Sequence, residues 1–180
     1  MVYDRKPKPA KAIVTNTGHR LTGIGAAMLS YALSEFLSKK LKFEPEMLSY
    51  ICAAAALSGA NAPDWLEVAS RSGDGKRKSL IPHRTITHWL PLWIAGLAWG
   101  IFNAGTGISS FVIGFTVGGL MHLAMDWPNP MGIPIWVPWR RVSGQLWKSG
   151  KREILLVLGS WGLGWGAIQA VSLYEQWPIK

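Results

Sequence analysis

The chain has 180 residues, enough for one domain, and is 49% hydrophobic with 11 Trp, which is unusual for a soluble domain. Its formal charge is +9, from 19 Lys and Arg against 10 acidic residues. These basic residues flank long apolar runs, so membrane orientation explains them better than nucleic-acid binding. Cys52 is the single cysteine, which excludes an internal disulfide and a Cys-rich metal site.

Residues 1–20 are polar and basic, with Pro7 and Pro9 opposing helix, and end in Thr17-Gly18-His19-Arg20. A first apolar run covers residues 21–37 and is closed by Lys39, Lys40 and Lys42; no cleavage site follows it, so an uncleaved first span is expected. The second, over residues 48–62, is rich in Ala and suited to close packing, and Pro63-Asp64 ends it. Residues 65–82 read as a hydrophilic, mobile loop with a Gly/Ser/basic centre. Pro82 then precedes His83-Arg84-Thr85-Ile86-Thr87-His88, and a third span is expected over residues 89–102.

The fourth span, residues 111–126, carries the most informative pattern. Gly114, Gly118, His122 and Asp126 recur at intervals of four, which aligns them on one helix stripe. The glycines admit a neighbouring helix, and the His and Asp point into what that approach encloses. After Asp126 comes a segment containing Pro128, Pro130, Pro134 and Pro138, read as an ordered interfacial loop anchored by Trp136, Trp139 and Trp147. A fifth span, residues 154–177, carries a Gly162-x-x-x-Gly166 face that suits packing within the chain or in a homo-oligomer.

The expected fold is therefore all-α: one integral-membrane domain, residues 1–180, forming a bundle of about five spans. Lys and Arg favour cytoplasmic loops, and with the N-terminus inside they divide 15 to 4 in favour of the inner face. That topology, drawn from Lys and Arg alone, puts His19, Asp64, His83, His88, His122 and Asp126 at the same cytoplasmic face. Buried His and carboxylate are costly in a membrane unless paired, liganded or wet. Six of them at four helix ends point to a metal: Zn²⁺ before Mn²⁺ or Fe²⁺, in one site or two adjacent ones. A hydrogen-bonded polar plug is the bland alternative.

The same residues carry a family resemblance. Gly18-His19, Pro63-Asp64, His83-Arg84-x-x-Thr87-His88, and His122-x-x-x-Asp126 followed by Asn129-Pro130-x-Gly132-x-Pro134 resemble the YdjM-type inner-membrane metal-dependent hydrolases over roughly residues 17–140. That family resembles in turn the zinc-dependent phospholipases C, whose zinc cluster includes a His-x-x-x-Asp helix. The resemblance implies that His19, Asp64, His83, His88, His122 and Asp126 are metal ligands or their immediate partners. Two positions depart from the pattern: Leu66 stands where Asp is expected, removing one carboxylate, and Trp89 stands in place of Ser.

The functional expectation is a hydrolase of the bacterial inner membrane, its zinc-activated water opening to the cytoplasmic leaflet and its substrate a lipid or lipid-linked phosphoester. Asp64 or Asp126 would take the proton. Arg84 and Arg20 are placed to hold a phosphate, Thr85 and Thr87 to cap a helix, and Asn129 to fix a turn or touch substrate. The contrasting expectation is a non-catalytic membrane protein whose cluster is structural. Its basic loops, residues 71–78 and 140–152, would bind a cytosolic protein, acidic lipid or nucleic acid.

Overall fold

A computed structural model describes residues 16–71, 77–146 and 152–176. Among them are six α-helices: α1 Asn16–Leu41, α2 Glu46–Gly59, the single turn α3 Ala62–Trp65, α4 Leu90–Phe102, α5 Gly107–Asp126 and α6 Glu153–Gln176. Two small antiparallel pairings interrupt the helical order: β1 Ala69–Arg71 with β2 Arg77–Ser79, and β3 Ile133–Pro134 with β4 Arg141–Val142. A 3₁₀ turn, Ile86–His88, leads into α4.

Local chemistry sets these boundaries. Lys39 and Lys40 occupy the last turn of α1, where cations complement the helix dipole, and Lys42 follows at φ +59. Pro45 precedes α2 and Glu46 occupies its first turn. Pro63 and Pro91 stand in the first turns of α3 and α4, where a missing N–H costs nothing. Thr106 and Ser109 form a reciprocal capping box that starts α5.

The organising element is α5, which packs against α1, α2 and α4, while α6 packs against α1. The glycine stripe makes the α5–α2 contact as close as the sequence predicts. A Cβ at Gly114 would strike the Cys52 carbonyl, and one at Gly118 would strike the Ala56 carbonyl and lie 2.7 Å from Ala60 N. The contact is reciprocal, because Gly59 of α2 faces the Phe115 carbonyl in the same way. Further core packing joins Ala62, Trp93, Leu123 and Ile133 at one end, and Leu37, Cys52 and Ile113 at the other.

Among the described residues, two helices are long and apolar enough to cross a membrane, α5 and residues 153–174 of α6. They differ in setting: 56% of the α5 window is buried within the chain against 17% for α6, so α5 is the core helix and α6 the peripheral one. α2 and α4 are shorter apolar helices of 14 and 13 residues, below the ~20 needed for a simple crossing. Within the expected loop over residues 65–82, Trp65 still belongs to α3 and residues 69–71 and 77–79 form the β1–β2 pairing; its centre, residues 72–76, lies outside the described residues, as does Trp147.

Candidate metal centre

The end of α5, the end of α2 with α3, the start of α1 and the segment before α4 meet at one place. His19, His88, His122 and Asp126 are each no more than 2% exposed. His19 and His122 stack with ring centroids 3.8 Å apart, and His88 meets the His122 ring edge-on at 5.2 Å. Three sequence-remote segments thus bring four polar groups into one core, with Asp64 at its rim, its side chain 35% exposed.

The second hydrogen bond of each imidazole decides which nitrogen is available. His122 Nδ1–H donates to the Ala60 carbonyl at 2.8 Å; a carbonyl only accepts, so a proton sits on Nδ1, and in the neutral ring that a metal requires Nε2 is the bare nitrogen. His88 Nδ1 lies 3.2 Å from Thr87 Oγ1 and 3.4 Å from Glu67 Oε1, a carboxylate that again favours the proton on Nδ1. Both Nε2 atoms are buried without a hydrogen-bond partner among the described residues. Burial also lowers the His88 pKa against the opposing pull of Asp126 and Asp64, favouring the neutral ring that a metal requires.

What faces the bare nitrogens is carboxylate. Asp126 Oδ2 is 3.5 Å from both His88 Nε2 and His122 Nε2. Asp64 Oδ1 is 3.6 Å from His88 Nε2, and its Oδ2 is 4.0 Å from His122 Nε2. These separations exceed a good hydrogen bond, and they approach the ~3.4 Å between two ligands that share a tetrahedral zinc at bonds near 2.1 Å. His19 Nε2, 3.9 Å from Asp126 Oδ1, completes the ring of donors. Three overlapping groups therefore have the spacing to hold a metal: His19, Asp64 and His122; His88, His122 and Asp126; and Asp64, Glu67 and His88.

Arg84 has a different place from the one its neighbour in sequence suggested. Its φ of +56 turns the side chain inward, where it is 7% exposed. There Nη2 donates to Asp126 Oδ1 at 2.7 Å and Nη1 to the Gly132 carbonyl at 3.2 Å. The guanidinium thus holds one oxygen of Asp126 and turns the other toward the histidines, while tying in the segment after α5. Asn129, 2% exposed, donates to the Met125 carbonyl at 3.2 Å and reaches Asp126 Oδ1 at 3.5 Å, a second support for the same carboxylate. Arg20 is exposed. Thr85 Oγ1 donates to the Pro82 carbonyl at 2.6 Å and makes no side-chain cap to the turn it precedes.

Glu67 is the residue that the sequence reading missed. It is fully buried, and it accepts from His83 Nδ1–H at 2.9 and 2.8 Å, from the Arg84 backbone N–H at 2.9 Å and from Thr87 Oγ1 at 3.5 Å. Burial opposes its ionisation, but the His83 and Arg84 hydrogen bonds prevail and hold its pKa below the usual carboxylate value. One carboxylate three residues beyond Asp64 thus organises the His83–His88 segment. The cue was available: an acidic residue close behind Pro63-Asp64, in a chain whose expected second Asp is replaced by Leu66. His83 is brought to the site's edge, with its ring 5.7 Å from His88, but it belongs to none of the three metal-spaced groups among the described residues.

The segment after α5 closes back over this end of the bundle. Trp89 Nε1 donates to the Trp136 carbonyl at 3.2 Å, and Arg141 Nη2 to the His83 carbonyl at 2.9 Å. Trp136 and Trp139 remain 80% and 77% exposed. Comparison with curated proteins and with solved structures finds no match. The family model described as YdjM inner membrane protein matches residues 14–177, which include every helix and every residue of the His/Asp cluster. The chain therefore belongs to the YdjM inner membrane protein family, and its His and Asp residues are grouped so that they could hold a metal ion.

Proposed function

We propose that the protein is a multi-pass inner-membrane hydrolase in which His88, His122, Asp64 and Asp126, with His19 beside them, hold one zinc ion at the cytoplasmic face. The observation that carries this reading is the pair of buried, unpartnered Nε2 atoms facing two carboxylates at 3.5–4.0 Å. As a hydrogen-bonded plug the arrangement is poor, since buried polar atoms rarely go without partners. As a ligand set it is well supported, each imidazole being fixed through its other nitrogen.

Zinc at such a centre lowers the pKa of a water it binds toward about 7 and polarises the bond under attack. The chain's own residues do the rest. Arg84 and Asn129 hold Asp126, the Ala60 carbonyl holds His122, and Glu67 with Thr87 holds His88. Asp64 and His83, each 35% exposed at the side chain, form the side of the cluster open to a substrate. The cytoplasmic orientation rests on the 15 to 4 distribution of Lys and Arg over five spans, with the shorter α2 and α4 crossing as parts of the bundle. A mouth at headgroup depth, with the exposed Arg141 beside His83, favours a phosphoester of a lipid or lipid-linked compound as substrate.

The test is hydrolysis by zinc-loaded, detergent-purified protein of a phosphodiester probe and a set of phospholipids. Turnover in the parent and its loss in a folded His122→Ala protein are expected; an equally active His122→Ala protein refutes the assignment. The exposed Trp136, Trp139, Arg140 and Arg141 favour one second reading, in which the cluster only braces the bundle and this surface docks a partner or acidic lipid. Under it, replacing Arg140 and Arg141 abolishes binding and the cluster variants only unfold.

A further inference from the structure

The sequence treats His83 as a sixth ligand, but its surroundings give it another task. Its Nδ1–H is committed to both oxygens of Glu67, at 2.9 and 2.8 Å. Glu67 is fully buried and is pinned from a second side by the Arg84 N–H, so it cannot follow the ring outward. The His83 main chain is held in turn by Arg141, through its carbonyl. A fixed internal carboxylate therefore orients a half-exposed imidazole and leaves the opposite nitrogen, Nε2, as a bare acceptor directed away from Glu67.

The two aspartates are engaged elsewhere. Asp126 gives one oxygen to Arg84 and turns the other to His88 and His122, and both oxygens of Asp64 face the same two rings. Among these groups, His83 alone combines a bare nitrogen, a fixed orientation and access to solvent next to the ligand set.

We propose that His83, oriented by Glu67, is the proton-transfer residue of the centre and stands outside its metal-ligand set. This rests on the hydrolase reading. As the oxygen of a water forms its bond to phosphorus, Nε2 takes the water's proton. As the bond from phosphorus to the alcohol oxygen breaks, Nε2 returns that proton to the departing oxygen. Water and phosphodiester become phosphomonoester and alcohol, with His83 and Glu67 restored. Glu67 is a positioning residue acting through His83, whose ring it orients through Nδ1.

The experiment uses the full chain in detergent, reading zinc per chain by mass spectrometry and turnover of bis(4-nitrophenyl) phosphate. His83→Gln is expected to keep the parent's zinc while turnover falls about 100-fold or more. His83→Gly, also zinc-loaded, is expected to regain turnover when imidazole is added, a response that a purely structural loss cannot give. Glu67→Gln should lower kcat more than KM. Loss of zinc from folded His83→Gln overturns the proposal by making His83 a ligand. Unchanged turnover in zinc-loaded His83→Gln, or no response of His83→Gly to imidazole, overturns it and passes the proton to Asp64. A parent that binds zinc and cleaves none of the phosphoesters refutes the hydrolase reading itself, a result distinct from an active parent with an equally active His83→Gln.

Discussion

Adding one methyl group at Gly118 should loosen the metal centre from a full turn away. The Cβ of Gly118→Ala would meet the Ala56 carbonyl, Ala60 N at 2.7 Å and the Gly59 carbonyl carbon at 2.8 Å, all backbone atoms of the end of α2 and the residue after it. Ordinary contact begins at 3.4 Å, so that chain must withdraw by at least about 0.7 Å at Ala60 N and by more at the Ala56 carbonyl. No flexible side chain is there to absorb the strain. The cost belongs near the upper end of the overpacking range, about 3 kcal/mol. The Ala60 carbonyl moves with its residue, and the His122 hydrogen bond, now 2.8 Å, stretches toward about 3.5 Å, the edge of hydrogen-bond reach. Losing that support should weaken zinc binding about 10- to 100-fold. The assay is thermal unfolding in detergent together with zinc competition against a chelator. Gly162→Ala is the control, because nothing lies within 4 Å of its added Cβ. A Gly118→Ala protein that melts with the parent and binds zinc as tightly, or a Gly162→Ala protein equally damaged, refutes the reasoning.

Arg84→Met should destabilise the zinc-free protein by about 3–5 kcal/mol, since it leaves buried Asp126 without its counter-charge, and added zinc should restore part of that loss; melting with and without zinc reads both. Arg84→Lys should rescue poorly, because one ammonium cannot bridge Asp126 and Gly132 as the guanidinium fork does. Asn129→Ala should cost about 1 kcal/mol and lower kcat through Asp126; a change confined to KM would return Asn129 to substrate contact. For topology, alkaline phosphatase fused after residue 176 should be active in cells and green fluorescent protein at the same point dark, with the reverse pattern contradicting five spans from a cytoplasmic N-terminus.

Helices and the centre were legible in the sequence to different depths. Apolar runs over residues 48–62, 89–102, 111–126 and 154–177 locate α2, α4, α5 and α6 to within a few residues, because hydropathy changes sharply where charge, Pro or Gly-rich turns begin. The first run was read too short. α1 continues through Gly18-His19-Arg20 and on to Leu41, since polar residues at a helix end do not stop a helix that tertiary packing extends. The interval of four from Gly114 to Asp126 correctly anticipated a close approach by another helix with His122 and Asp126 beyond it, because that pattern is local to one helix.

The inward turn of Arg84 and the partners of Glu67 were beyond such reasoning. A positive φ cannot be read at a non-glycine residue, and without it Arg84 looks like a surface charge next to His83. The partners of Glu67 lie 16 to 20 residues away across the β1–β2 pairing, a separation that neither helical nor strand periodicity spans. The two short strand pairings escaped for the same reason, each being only two or three residues per strand.

The most direct measurement is zinc content by mass spectrometry on detergent-purified parent, His122→Ala, His88→Ala and Asp126→Ala proteins of matched helical content. About one zinc per chain in the parent, lost in all three variants, is the predicted result. A well-folded parent that takes up no metal even when zinc is supplied would contradict the account and leave the cluster as a brace for the helix ends.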